Sequence, residues 1–210
     1  NLATNGGGIY ATNGSHVVIE DGAKIAGNVA LGGFRNPSER VKSSGGGIYM
    51  APYSDKNNRN TLDVTGGSIT GNIAYPQINT TTPASLGGGG IFSGGDLTVS
   101  GNASIDNNFS FEGGGGILLW YKTKNNSLGH DVSADPVSPT FFMDGGTVKN
   151  NASWCSEGGG IRCEGLGTIE SGLIQNNYTL TNYDFGGGGI YVETSDNRDD
   201  HGILTILNAE

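Results

Sequence analysis

The sequence predicts an all-β fold: a right-handed, single-stranded parallel β-helix of about five to six coils, with three short strands in each coil. Two observations predict it. The run Gly-Gly-Gly-Ile occurs six times in 210 residues, and between the runs an alternating apolar pair is followed by Ile or Val with Asn three residues later. Short strands of this kind, joined by turns and without a helical pattern between them, can bury their inward residues only by stacking copy on copy.

The glycine run opens each copy and ends in an isoleucine. Three consecutive glycines have no side chains to pack in an ordinary strand, so we expect the run where stacked backbones approach closely or take a positive φ. The invariant Ile predicts an inward ladder of Ile9, Ile48, Ile91, Ile117, Ile161 and Ile190. The variable residue after it predicts an outward column of Tyr10, Tyr49, Phe92, Leu118, Arg162 and Tyr191.

The alternating apolar pair predicts the second strand and the Ile-x-x-Asn segment the third, with a tight turn between them. A stacked carboxamide can donate to one neighbouring coil and accept from the other. The asparagines therefore predict a second interior ladder of Asn28, Asn72, Asn108, Asn151 and Asn177. The residue two positions after each Asn is small, which predicts a turn where coils come close: Ala3, Ala30, Ala74, Ser110, Ser153 and Thr179.

Right-handed coiling is expected from the strong preference of parallel crossovers. Ile91 and Ile117 lie 26 positions apart, so a bare coil needs about that many residues. Longer copies carry their excess in inserts rich in Asn, Ser, Thr, Pro and Asp, which are typical of loops. The inserts are residues 31–44, 51–61, 75–86, 121–139 and 193–202.

The composition suits one β-helix domain over residues 1–210. The 39 glycines and the 34% hydrophobic content fit a solenoid, which buries one narrow column of side chains per turn. A net charge of −9 with 11 Lys and Arg argues against a nucleic-acid partner, and no stretch has the ~20 apolar residues of a membrane span. Because the chain begins in mid-repeat at Asn1, we expect a fragment of a longer solenoid, with further coils or a partner at an open end.

Glycine runs ending in Ile, paired with a hydrophobic-x-x-Asn segment, resemble the repeats of chlamydial polymorphic outer-membrane proteins and, more loosely, adhesin-like β-helix proteins of bacterial and archaeal surfaces. The resemblance covers the whole chain, with Gly for the Ala of the chlamydial GGAI motif and Ile or Val for the Phe of FxxN. It implies a secreted or cell-surface, autotransporter-like module for adhesion or display. Such a module would bind host or microbial glycans or proteins without catalysis.

Binding is expected of the outward column and of the inserts 121–139 and 193–202, because rings exposed in a row can stack on sugar faces. The alternative is that inserts cover the rings and use them as a second small core. The candidate binding residues are Tyr10, Tyr49, Phe92, Arg162, Tyr191 and Trp120.

A carbohydrate-active enzyme is the alternative function, since the fold also resembles the pectate-lyase-like scaffold of polysaccharide lyases and some glycoside hydrolases. Glu164 and Glu193 each lie three residues after a repeat Ile. Stacking would bring their carboxyl groups roughly 5 Å apart, the separation of a retaining glycosidase. The alternative is two solvated surface glutamates near Arg162. Glu112 and Glu157, each just before a glycine run, form a similar pair.

No metal site and no cofactor are expected. His16, His130 and His201 are scattered along the chain. The Asp-rich segment 196–200 is a candidate loop for binding calcium, although it lacks the spacing of a known calcium loop. Cys155 and Cys163 flank the fifth glycine run, and the sequence leaves open a disulfide or two free thiols.

Overall fold

The computed structural model describes residues 1–36, 39–41, 43–53, 57–76, 85–120, 138–155, 157–180, 186–193 and 202–210. In this part of the chain all regular structure is β-strand, and the strands build three stacked parallel sheets. Each coil contributes to sheet 1, then sheet 2, then sheet 3 before the next glycine run begins. The predicted parallel β-helix with three strands per coil is confirmed.

Sheet 1 follows the glycine runs and places the six repeat isoleucines in one register. Ile48, Ile91, Ile117 and Ile161 are fully buried, so the predicted isoleucine ladder is confirmed. The strands are Ile9–Ala11, Ile48–Met50, Ile91–Ser93, Ile117–Leu119, Ile161–Cys163 and Ile190–Val192.

The glycine runs hold the closest approach between coils. A Cβ added at Gly90 would lie 2.7 Å from the carbonyl oxygen of Gly116 in the next coil and 2.9 Å from Nδ2 of Asn108. Gly88, the first glycine of the same run, has a φ of +70°, a conformation that side chains rarely adopt. Both reasons expected for the run are therefore present.

Sheet 2 contains both the alternating pair and the Ile-x-x-Asn segment, which the sequence assigns to separate strands. In three coils a single strand runs through the turn. The glycines bend the chain there, and its pairing with the strand of the neighbouring coil continues with a register shift. Its members are His16–Ile19 with Lys24–Ala26, Thr61–Val64 with Ser68–Thr70, Asp96–Asp106, Thr140–Lys149, Leu166–Gln175 and Ile203–Ala209.

Sheet 3 occupies the positions after the ladder asparagines, so the turn predicted at the small residues is wrong. Ala30, Ala74 and Ser110 are its fully buried inward residues. They are small because the glycine run packs against these strands: a Cβ on Gly46 would lie 2.5 Å from the Ile73 carbonyl oxygen. The strands are Leu2–Ala3, Val29–Leu31, Ile73–Tyr75, Phe109–Ser110, Ala152–Ser153 and Tyr178–Thr179.

Two smaller pairings lie outside the three stacked sheets. Gly33–Asn36 and Glu39–Val41 form an antiparallel pair, and Ser43–Ser44 pairs in parallel with Ser85–Gly87. Within the described ranges, no helix is long and apolar enough to span a membrane.

The asparagine ladder is confirmed in detail. Nδ2 of Asn72 donates to Oδ1 of Asn108 at 3.0 Å and to the Ile25 carbonyl oxygen at 2.9 Å. The backbone N–H of Asn72 donates to the same Oδ1 of Asn108. The side chain therefore connects three successive coils, and a buried amide with all these partners avoids the cost of an unsatisfied polar group.

Candidate binding site on the outer face of sheet 1

The outward column predicted beside the isoleucines lies in register along sheet 1. Its aromatic rings stack on one another: the ring centroids of Tyr10 and Tyr49 are 5.1 Å apart, and those of Tyr49 and Phe92 are 4.7 Å apart. Trp120 continues the group at 5.7 Å from Phe92. These distances are typical of stabilising aromatic pairs.

Most of this column is buried. Phe92 is 0% exposed, and Tyr49 and Trp120 are each 7% exposed; with Ala51 and Leu118 they form a second hydrophobic cluster outside the main core. Burial raises the pKa of Tyr49 well above its ordinary value. The expectation of an exposed aromatic row is wrong for these residues, because the rings and Trp120 cover one another. A second small core is present, but Ala51 is the one residue of this cluster that belongs to an insert, so the predicted cover by inserts stays a prediction.

The two ends of the column differ from its middle. Tyr10 is 56% exposed in the first coil, whereas Arg162 and Tyr191 are partly exposed in the last two coils. The guanidinium carbon of Arg162 lies 5.9 Å from the ring centroid of Tyr191, within the range of a cation–π contact. The aromatic and charged side chains of this column that solvent can reach therefore lie at the ends of sheet 1.

Arg162 is the centre of a charged cluster on this face. Its Nε lies 2.9 Å from Oε1 of Glu164, its Nη1 lies 3.3 Å from Oε2 of Glu157, and its Nη2 contacts Oε2 of Glu193. We call Arg162, Glu157, Glu164, Glu193 and Tyr191 the Arg162 cluster. Three carboxylates thus share one guanidinium, which leaves the cluster with an excess of negative charge.

Electrostatics keep the guanidinium charged. Burial alone would lower the pKa of Arg162, but Glu164, Glu193 and Glu157 outweigh burial and raise it. The pKa of Tyr191 is also raised, first by desolvation and then by Glu193. The Tyr191 phenol therefore stays neutral at physiological pH beside the carboxylates of the cluster.

The sequence prediction that Glu164 and Glu193 lie together is supported by the strand register, because Cys163 pairs with Val192 just before them. Both carboxylates bind the same guanidinium. Glu164 is only 8% exposed, so its interpretation as a solvated surface carboxylate is wrong. Glu157, which the sequence pairs with Glu112, joins Glu164 and Glu193 through Arg162.

Both cysteines are free thiols, so the disulfide that the sequence left open does not form. Cys163 is fully buried in the main core, and Cys155 is partly buried, with Sγ 3.0 Å from the Phe111 carbonyl oxygen. Burial raises the pKa of each thiol to about 11. Neither is a reactive nucleophile at neutral pH.

Of the remaining sequence candidates, His16 lies within the described residues. His16 contacts Oδ2 of Asp63 at 2.8 Å on the outer face of sheet 2. His130, His201 and the calcium candidate 196–200 lie outside the described residues, as do most of the inserts 121–139 and 193–202. Among the residues that the structure describes, no three His, Cys, Asp or Glu side chains are grouped to hold a metal ion.

One group of surface residues was missed from the sequence. Trp154 and Tyr178 are 52% and 49% exposed on the outer face of sheet 3. The missed signal is the pair of large apolar residues that flanks four of the six small inward residues, as in Ile73-Ala74-Tyr75.

Comparisons of the chain with protein-family models, with curated proteins and with solved structures give no match.

Proposed function

We propose that the chain is a non-catalytic β-helix module of a secreted or cell-surface protein, which serves adhesion or display by binding host or microbial glycans or proteins. The observation that supports this proposal most is the Arg162 cluster. It places charged and aromatic recognition groups on the outside of a rigid parallel sheet. Sites on rigid elements hold their geometry without the entropy cost of ordering a loop.

The cluster has the chemistry of a polar binding site. Glu193, whose side chain is 37% exposed, offers carboxylate oxygens that accept hydrogen bonds from hydroxyl or amide groups. The Tyr191 ring offers a face for stacking. Arg162 and the more buried Glu164 hold these two residues in place. We assign ligand contact to Glu193 and Tyr191, and positioning to Arg162 and Glu164.

A glycan array probed with the labelled chain tests the binding proposal. We expect a bound glycan whose signal falls about tenfold in Glu193→Gln and Tyr191→Ala, since each change removes one contact of about 1 kcal/mol or more. The control is Glu170→Gln, which removes an exposed carboxylate from sheet 2. Equal binding by all variants would exclude this site.

The cell-surface location is tested separately. Antibodies against the chain should label intact cells of the source organism, and protease added outside the cells should remove the label. Labelling that requires permeabilised cells would contradict a surface location.

The exposed end of sheet 2 supports the proposal that a further coil or a partner covers an open end of the solenoid. Ile203, Ile206 and Leu207 are 54%, 51% and 58% exposed on its last strand. An unpaired strand edge with apolar residues is a template for pairing. Sedimentation velocity of the chain should show association that increases with concentration; a strictly monomeric chain at high concentration would argue against it.

A carbohydrate-active enzyme remains the second candidate, because Glu164 and Glu193 lie in adjacent coils and both contact the guanidinium of Arg162. Incubation with plant and host polysaccharides, followed by detection of new reducing ends or unsaturated products, separates the two functions. Products that disappear in Glu164→Gln and Glu193→Gln would establish the enzyme. Absence of products with a glycan that the chain binds would support the non-catalytic module.

A further inference from the structure

The outer face of sheet 3 is apolar almost throughout. The small residue of each strand points inward, and the residues before and after it point outward in two columns that hydrogen bonds between coils keep in register. We call these outward residues the sheet 3 face. One column is Leu2, Val29, Ile73, Phe109, Ala152 and Tyr178; the other includes Leu31, Tyr75, Phe111, Trp154 and Leu180.

Aromatic side chains concentrate on this face in its second to fifth coils. The rings of Tyr75 and Phe109 stack with centroids 6.4 Å apart, and Phe111 meets Tyr75 edge-on at 5.4 Å. Trp154 and Tyr178 then follow, each about half exposed. Five aromatic rings on one external sheet are far more than scattered surface apolar residues would give.

The strands of sheet 3 are built with large residues outside and small residues inside. Ser110 and Ser153 are 0% exposed in the interior, whereas Leu180 is 49% exposed on the outside. An outer apolar surface of this kind costs solubility unless a ligand or partner covers it. The outer residues therefore indicate recognition, because the interior is already filled by the small residues and the asparagine ladder.

The dimensions of the sheet 3 face limit the kind of ligand that can bind it. Six strands at ~4.8 Å spacing give a strip ~24 Å long, and two outward positions in a strand lie only ~7 Å apart. A strip of that size is well below the ~800 Å² per partner of a stable protein interface. It suits a single extended chain that runs along the stack of coils.

The borders of the face are polar and carry no excess of positive charge. Asn107, Asn150 and Asn176 are exposed along one side, each with a φ of 54° and in register through backbone hydrogen bonds. Glu112 and Glu157 belong to the turns on the other side. Amides beside aromatic rings fit hydroxyl-bearing sugar rings, whereas the carboxylates and the net charge of −9 disfavour an acidic polymer.

From these observations we propose that the sheet 3 face binds a neutral, linear polysaccharide with equatorial linkages, of the β-1,4-linked hexopyranose type. Its rings stack with their flat C–H faces on Trp154 and Tyr178, and its hydroxyl groups reach the amides of Asn150 and Asn176. This site borders the Arg162 cluster at Glu157 but uses other contact residues, and it does not require the proposed function assigned to that cluster.

The experiment titrates the chain with cellohexaose, with the hexamer of N-acetylglucosamine and with hexagalacturonate as the acidic comparison. Intrinsic fluorescence reports on the site, because Trp154 is 52% exposed and Trp120, the other of the two tryptophans, is 7% exposed. We expect one or both neutral hexamers to shift the emission and to protect Trp154 from acrylamide quenching. Calorimetry should show affinity about three- to tenfold weaker in Tyr178→Ala and Trp154→Ala.

Two controls separate this site from others. Phe142→Ala removes an aromatic side chain that is 38% exposed on sheet 2, and Glu170→Gln removes an exposed carboxylate from the same sheet; both should bind the neutral hexamers as the unmodified chain does. Circular dichroism of every variant checks folding, and the fluorescence titration of the unmodified chain does not depend on any variant.

Several outcomes would overturn the proposal. These are no response to either neutral hexamer, affinity unchanged in both aromatic variants, or preference for hexagalacturonate. Self-association that Trp154→Ala abolishes would instead identify a second copy of the chain as the occupant. Loss of binding in Glu193→Gln alone would assign the sugar to the Arg162 cluster.

Discussion

Nδ2 of Asn108 donates to Oδ1 of Asn151 at 3.0 Å, and the backbone N–H of Asn108 donates to that same oxygen. Asn108 Nδ2 also donates to the Ile69 carbonyl oxygen. We expect Asn108→Ala to lower the free energy of unfolding by about 3 kcal/mol, because several buried groups lose their partners. Urea denaturation measures this value.

The control for Asn108 is Asn102→Ala, at an exposed residue in the sheet 2 strand Asp96–Asp106 of the same coil. It should change the free energy of unfolding by no more than about 0.5 kcal/mol. Similar losses in the two variants would mean that the ladder contributes little to stability.

The third glycine of a run offers a matched pair of substitutions. Gly90→Ala places a Cβ 2.7 Å from the Gly116 carbonyl oxygen, so we expect a loss of about 3 kcal/mol from overpacking. Gly189 occupies the same repeat position in the last coil, where the nearest heavy atom to an added Cβ is 3.8 Å away. Gly189→Ala should therefore stay within about 1 kcal/mol. Thermal and urea unfolding compare the two.

The second hydrophobic cluster predicts a large cost for Phe92→Ala. Removal of this fully buried ring should lower the free energy of unfolding by about 3–5 kcal/mol. Phe142→Ala, on a side chain that is 38% exposed, should cost about 1 kcal/mol or less. Equal unfolding midpoints of the two variants would show that the outer column of sheet 1 does not act as a core.

The Arg162 cluster predicts a pH-dependent defect. Arg162→Met leaves three carboxylates facing one another, and we expect a loss of about 2 kcal/mol at pH 7, less than for a fully buried pair since Glu193 is partly exposed. Protonation removes the repulsion, so the difference from the unmodified protein should shrink as the pH falls toward 4. Lys149→Met on sheet 2 is the control, and a defect independent of pH would contradict the electrostatic explanation.

The buried thiol of Cys163 predicts a decline of stability in alkali. Burial raises its pKa from 9.0 to about 11, so between these values the unfolded chain releases a proton that the folded chain keeps. The contribution of the neutral Cys163 thiol to the free energy of unfolding is fully present below pH 9. As the pH rises toward 11, this contribution of about 2–3 kcal/mol is lost. Cys163→Ala should show a shallower decline in urea unfolding over this window; parallel curves would refute the assignment.

The interior of the fold was predictable because isoleucine and asparagine recur at regular positions. No role other than stacking between coils requires these side chains at such a spacing. Ile91 and Asn108 lie where the repeat places them, and the bare glycines are explained by the distance from Gly90 to Gly116. Sheet 3 was not predictable in the same way. Its inward residues, such as Ala74, are small and read as a turn, since a strand pattern assumes that the larger side chains point inward.

The candidate site was predictable only in part. The repeat spacing brings Glu164 and Glu193 to neighbouring coils, but it does not show that both bind Arg162 or that Glu157 joins them. Tyr49 and Phe92 share their buried cluster with Trp120, which lies outside the repeat motif. Contacts made by residues outside the repeat have no period, so periodicity cannot reveal them.

The segment from Ile91 to Gly116 is one complete coil without a long insert, and every coil meets its neighbours through the same ladder positions. If it were excised, Ile117 would fall where Ile91 stood and Asn151 where Asn108 stood. The fold can therefore gain or lose whole coils while the remaining coils keep their register. Insertion or deletion of a single residue within a coil would instead displace both the isoleucine ladder and the asparagine ladder.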